Sequence, residues 1–271
     1  MDFRRRLDHA QQRHASLRCV GLDPEPQRLP EPWRGDAARL FEFCARIVDA
    51  TKDLVCAFKP QIAYFAAQRA EDQLERVVAY IRRVAPDVPV ILDAKRGDIG
   101  ATAEQYAREA FVRYDADAVT LSPYMGFDSI EPYLKYDGRG LFLLCRTSNP
   151  GAADLQSLPL ASGLALYEQV AALAAGPWQR AGRIGLVVGA TAPAEIARVR
   201  ELAPTLPLLV PGVGAQGGGA QAAVRAGWRA GAPIVVNSSR AILYAGHDAG
   251  FASAARAAAL ATRELLAGAT R

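Results

Sequence analysis

The chain has 271 residues, 51% of them apolar, and a formal net charge of +4. That length buries a large core and permits two domains or one α/β barrel. The positive excess comes from scattered arginines and not from a block, which suits an anionic small substrate without requiring one.

Taken in order, Phe3 to His14 is predicted helical. Its Arg4-Arg5-Arg6 run reads as a solvated face and not as a nucleic-acid arm, because no aromatic residues interleave with it. Met1-Asp2-Phe3-Arg4 lacks the apolar core of a signal peptide. Leu17 to Leu22 is predicted as a strand ending in Asp23-Pro24. Leu40, Phe43, Cys44, Ile47 and Val48 have the spacing of a core-facing helix. Leu54 to Phe58 reads as strand two, followed by Lys59-Pro60-Gln61, and Leu74, Val77, Val78 and Ile81 mark the next helix.

Strand three opens at Val90 and runs through Leu92-Asp93-Ala94-Lys95 into Arg96-Gly97-Asp98. Alternation puts Asp93 and Lys95 on one face, roughly 6–7 Å apart at the backbone. Gly97 then allows a sharp turn, so Asp93 and Asp98 are expected to bracket one ammonium. Ala103, Tyr106, Ala107, Ala110 and Phe111 line the helix that follows. Ala118 to Leu121 is strand four, with a short helix near Ile130 to Leu134. Leu141 to Cys145 is strand five, leading to Thr147-Ser148-Asn149-Pro150-Gly151 and a helix through Leu166, Val170 and Leu173. Ile184 to Val188, Leu208 to Val210 and Ile234 to Val236 are strands six to eight. Helices follow each, the last an Ala-rich surface segment from Phe251 to Leu266 that is too interrupted by charge to span a membrane.

Eight apolar strands alternating with helices predict an α/β fold, a single (β/α)8 TIM barrel over residues 1–271 with an extra N-terminal helix. A doubly wound open sheet is the alternative. Catalytic groups of such a barrel gather at the carboxyl ends of its strands. Those ends carry Asp23, Lys59, Asp93, Lys95, Asp98, Ser148, Gln216 and Arg240. The glycine run after strand seven and Arg240 after strand eight occupy the usual phosphate position, where backbone amides and a guanidinium grip an anion. Gly212 to Gly217 also matches G-x-G-x-x-G, but it follows the seventh strand and the next strand ends in Asn237, which opposes dinucleotide binding. Cys19, Cys44, Cys56 and Cys145 form no C-x-x-C pair and are expected to be buried, reduced thiols of a cytoplasmic protein. His9, His14 and His247 are too scattered for a zinc site, and no metal or cofactor is expected.

Asp93-Ala94-Lys95-Arg96-Gly97-Asp98-Ile99 resembles the D-x-K-x-x-D-I signature of the orotidine 5′-monophosphate decarboxylases. The likeness spans the chain. Leu22-Asp23-Pro24, Phe58-Lys59-Pro60, Thr147 to Gly151, Pro211 to Gly218 and Arg240 all fall where that family has motifs. The Phe-Lys-Pro-Gln and Thr-Ser-Asn-Pro wording is similar to the longer bacterial, type 2 subgroup. The resemblance implies that Lys95 donates a proton to pyrimidine C6 and that Asp93 sits beside the substrate carboxylate. It implies that Lys59 contacts ribose and orients Asp93, that Asp23 holds ribose hydroxyls, and that Ser148 bonds the pyrimidine edge. Gln216, the glycine-loop backbone and Arg240 would hold the phosphate, with Pro211, Gly214 and Ser239 among the substrate-binding positions. Asp98 and Thr102 would serve the neighbouring subunit's site in a homodimer. Gly100, where many relatives have proline, and Asn237-Ser238-Ser239, where many shorter ones have glycine, depart from the pattern without removing a charged group.

The implied reaction converts orotidine 5′-monophosphate to UMP and CO2 in pyrimidine biosynthesis. Carboxylates beside Lys95 would favour its ammonium form, which also opposes a Schiff-base aldolase. Two other readings stay open. One is a Mg2+-dependent sugar-phosphate lyase of the same superfamily, which carries a carboxylate where Lys59 stands. The other is a catalytically silent phosphate-binding barrel. Neither a nucleic acid nor a membrane is expected as a partner.

Overall fold

The structure is a computed structural model that describes residues 1–180, 182–191, 193–212 and 218–270. Among the described residues, eight parallel strands form one sheet: β1 (Arg18–Leu22), β2 (Ala57–Pro60), β3 (Ile91–Arg96), β4 (Ala118–Leu121), β5 (Gly140–Arg146), β6 (Ile184–Val188), β7 (Leu208–Val210) and β8 (Ile234–Ser238). Their order is β2-β1-β8-β7-β6-β5-β4-β3. The two ends of that order meet. Phe58 bridges Val90, Gln61 bridges Asp93, and the Phe58 amide donates to Pro89 O at 3.0 Å. The sheet is therefore a barrel and not the open alternative.

Alternation along each strand sorts side chains into two shells. Cys19, Ala57, Ile91, Ala118, Phe142, Val187, Leu209 and Val235 fill the interior. Val20, Phe58, Leu92, Val119, Leu143, Leu186, Leu208 and Val236 face the outer helices. Among those helices, α2 (Leu40–Thr51) buries the Leu40, Phe43, Cys44, Ile47 and Val48 stripe that its spacing predicts.

The first helix, α1 (Phe3–His14), closes the amino-terminal end of the barrel. Phe3, Leu7 and Ala10 join the interior shell, and the Phe3 ring meets Phe142 edge-on at 5.7 Å. Gly140 makes room for it: a Cβ there would stand 2.2 Å from Phe3 Cδ1. The arginine run is not merely a solvated face, as expected from the sequence. Arg4 donates to the carbonyls of Thr205 and Gly231, while Arg6 pairs with the buried Asp117 at 3.1 Å. Two of the three arginines thus staple α1 to the barrel.

Two strand ends differ from the sequence reading, and both matter for the site. β2 starts at Ala57, not Leu54, because the Leu54 amide closes the end of α2 by donating to Thr51 O at 2.8 Å. It continues through Lys59, which is a strand residue and not a loop residue. β8 likewise continues past Val236 and carries Asn237 within the strand. All four cysteines are free and buried. No described helix is long and apolar enough to cross a membrane.

Candidate active site

Asp93 lies on β3 where the strand leaves regular pairing. Leu92 pairs with Val119 and Arg96 with Leu121, so three residues of β3 stand against Thr120 alone. This is a bulge, which bends a strand and re-aims its side chains. Lys95 takes up the distortion with φ +46°, in the left-handed region that non-glycine residues rarely adopt. Simple alternation, as expected from the sequence, therefore does not describe this stretch, although both charged side chains still converge.

The carboxylate of Asp93 is the hub. Lys59 Nζ lies 2.7 Å from Oδ2 and Lys95 Nζ lies 2.6 Å from Oδ1. The Thr120 hydroxyl also donates to Oδ1 at 2.9 Å. Burial opposes ionisation of Asp93, but the two ammoniums outweigh it and hold the carboxyl well below the usual carboxylate range. Burial likewise opposes the Lys59 charge, and Asp93 together with Asp23 raises its pKa above the ordinary lysine value. Lys59 is 3% exposed, so both members of that pair stay charged by holding each other. Lys95 differs: its side chain is 45% exposed.

A cavity of about 760 Å³ opens above this cluster, lined by Asp23, Lys59, Tyr64, Asp93, Asn237 and Arg240 among others. Pro211, Gly212 and Ser239 also border it. Asp23 Oδ1 and Asn237 Oδ1 are buried and have no hydrogen-bond partner among the described residues. Two acceptors without donors are unfavourable in a folded protein unless a ligand or water supplies the donors. The segment carrying Asp23 is pinned from the neighbouring β8 unit. Tyr244 Oη donates to Asp23 O at 3.2 Å and accepts from the Glu25 amide at 2.7 Å. The helices between α2 and the end of β8 are α3 (Ile62–Ala66), α4 (Glu71–Val84), α5 (Gly100–Arg108), α6 (Glu131–Leu134), α7 (Leu166–Ala175), α8 (Pro193–Leu202) and α9 (Gly218–Gly227), and Arg240 is exposed at the cavity mouth, at the start of the four-residue helix α10 (Arg240–Leu243).

Ser148 is exposed beyond β5 and packs on Gly189, where a Cβ would come within 2.8 Å of the serine Cβ. A Cβ on Gly212 would lie 3.6 Å from Ser148 Oγ, which places the serine beside the cavity rim. Gly214 and Gln216 lie outside the described residues. Asp98 corrects one expectation. It does not bracket Lys95 within this chain: its Oδ1 accepts from the Ile99 amide at 2.8 Å, on the loop beyond Gly97. Thr102 is exposed in the first turn of α5, and Ile99 between them is 53% exposed.

A family model described as the orotidine 5′-phosphate decarboxylase / HUMPS family matches residues 17–255. The chain belongs to this family. Its relatives include the orotidine 5′-phosphate decarboxylase of Methylibium petroleiphilum, 71% identical over 98% of this chain and 99% of that protein. The protein of the same name from Verminephrobacter eiseniae is 69% identical, with both chains covered in full. Among solved structures, the OMP decarboxylase of Leishmania donovani superposes with a TM-score of 0.86 at 41% identity, covering 99% of this chain and 98% of that one. The family description spans two names, and these relatives all carry the decarboxylase one.

Within this family site, Thr120 and Asn237 escape the sequence reading. Thr120 is the single polar residue of β4, and Asn237 follows three apolar residues of β8. The signal that could have found them is their inward register, Thr120 two residues after the interior Ala118 and Asn237 two after the interior Val235.

Proposed function

We propose that this chain decarboxylates orotidine 5′-monophosphate to UMP and CO2, with Lys95 as the proton donor. The observation that carries the reading is the Lys59–Asp93–Lys95 cluster, two of whose members, Lys59 and Asp93, line a cavity that Arg240 also borders. The phosphate goes to Arg240 and the backbone at Pro211 and Gly212, with Gly214, Gln216 and Ser239 completing that end. Ribose hydroxyls supply the donors that Asp23 Oδ1 and Asn237 Oδ1 lack. Ser148 takes the pyrimidine edge.

The chemistry follows from the charges. Breaking the bond between C6 and the carboxylate releases CO2 and leaves an electron pair on C6 in the plane of the ring. The π system cannot delocalise that pair, so fixed charge must stabilise it. The Lys95 ammonium supplies it and then delivers a proton to C6, leaving an amine that regains its proton from water. Asp93 does two things. It orients Lys95 through Oδ1, and its charge disfavours the substrate carboxylate more than neutral CO2. Lys59 keeps Asp93 ionised throughout. Binding of the remote phosphate contributes to stabilising the transition state.

Asp98 and Thr102 act in the neighbouring subunit of a homodimer. Their exposure, with that of Ile99, supports this reading. The four unpaired thiols support a cytoplasmic location, where cysteines stay reduced. Burial pushes the thiols of Cys56 and Cys145 up to about 12, so neither is placed to act as a nucleophile.

The test is the ultraviolet spectrum of orotidine 5′-monophosphate mixed with the purified protein in excess EDTA. Conversion to the spectrum of UMP is the expected result. No conversion in EDTA, followed by none with added Mg2+, would favour the sugar-phosphate lyase or the silent barrel.

A further inference from the structure

The bulge in β3 creates a backbone problem that one side chain solves. Asp93, Ala94 and Lys95 occupy a stretch where β4 offers only Thr120. The amides of Ala94 and Lys95 both donate to Thr120 Oγ1, each at 3.0 Å. A hydroxyl has one proton and two lone pairs. With both lone pairs engaged by amides, the proton has one direction left, and Asp93 Oδ1 lies there at 2.9 Å. Thr120 is 1% exposed, so water does not compete for these bonds. One buried oxygen therefore sets three things together: the path of the bulge, the left-handed backbone of Lys95 and the orientation of the Asp93 carboxylate.

We propose that Thr120 is a positioning residue for the reaction, its hydroxyl aiming the Lys95 ammonium by locking both the Lys95 backbone and the Asp93 oxygen that the ammonium touches. This rests on the reading of Lys95 as proton donor. Thr120 on β4 is three strands from β1, whose loop carries Asp23, and four from β8, which Arg240 follows; these are the groups that grip the substrate. Its hydroxyl should therefore govern the chemical step and leave binding nearly untouched. A reacting group misplaced by about 1 Å loses on the order of 100-fold in rate.

The experiment compares wild type, Thr120→Val and Thr120→Ser for kcat and KM with orotidine 5′-monophosphate, and for UMP affinity. Valine matches threonine in shape and suits a strand, but it has no hydroxyl. The expected result for Thr120→Val is a kcat lower by about 10- to 100-fold, with KM and UMP affinity within about threefold of wild type. Thr120→Ser keeps the hydroxyl and should hold kcat within about threefold of wild type. Unchanged kcat in Thr120→Val would overturn the proposal. So would a parallel loss of UMP affinity, which marks a collapsed site. Should the valine variant fail to fold, Thr120→Ser decides: a loss there of more than tenfold in kcat would show that the hydroxyl is not what matters. Wild-type turnover in the same assay separates this claim from the functional reading beneath it.

Discussion

Lys59 Nζ and Asp93 Oδ2 lie 2.7 Å apart across the seam where the barrel closes. Their strands touch through the bridges of Phe58 with Val90 and Gln61 with Asp93. The last joint of the sheet is thus also the place where two buried charges meet. Removing one partner of such a pair strands the other, which is far less favourable than the intact pair.

The sign of the Asp93 shift makes a stability prediction. Its folded pKa is depressed, so its contribution is fully present above the unfolded value of about 3.9 and is lost as pH falls through the folded value. Asp93→Asn should therefore be less stable than wild type near neutral pH, by on the order of 3 kcal/mol. Below about pH 4 the unfolded carboxyl takes up a proton while the folded one is still ionised, so the gap should narrow steadily as pH falls towards the folded value. Denaturant unfolding of both proteins from pH 7 to pH 2.5 measures it. A gap that stays constant across that range would contradict the assignment.

Gly140 carries a prediction about packing. A methyl group there meets the Phe3 ring, with 2.2 Å to Cδ1 and 2.7 Å to Cγ. That ring is 5% exposed and held against Phe142, so it cannot swing aside cheaply. Gly140→Ala should lower stability by about 1–3 kcal/mol, read from the denaturant midpoint. Turnover per folded molecule should be unaffected, because α1 closes the opposite end of the barrel from the cavity. An unchanged midpoint would show that α1 is not seated as described.

Assembly gives a third prediction. If Asp98 serves its neighbour, neither Lys95→Ala nor Asp98→Ala homodimers are competent. In a heterodimer of the two, one site recovers both wild-type groups. Random exchange between equal amounts should then restore about a quarter of wild-type activity, by the statistics of a two-fold dimer. Mixed dimers that form and stay inactive would rule out a shared site.

Much of this architecture was legible because punctuation and period agree. Phe3–His14, Ala118–Leu121, Ile184–Val188 and Leu208–Val210 have the ends that their apolar pattern predicts. Leu54 illustrates the limit: its apolar side chain continues the strand pattern, while its amide is committed to the helix before it. The same division holds in the site. Lys59, Asp93 and Lys95 come together because charged residues at the ends of buried strands have few places to go. Thr120 was not legible, since its role depends on a bulge in the next strand. The bracketing role of Asp98 failed within one chain for a related reason. The turn at Gly97 is visible in the sequence, but not the direction in which it sends the residue that follows.

The most direct measurement is turnover by Lys95→Ala beside its affinity for UMP. Lys95 is the one charged member of the cluster whose side chain is exposed. The account predicts turnover lower by at least ~1000-fold, combining loss of the fixed charge and of the proton, in a folded protein that still binds UMP. Near-normal turnover in that variant would contradict it.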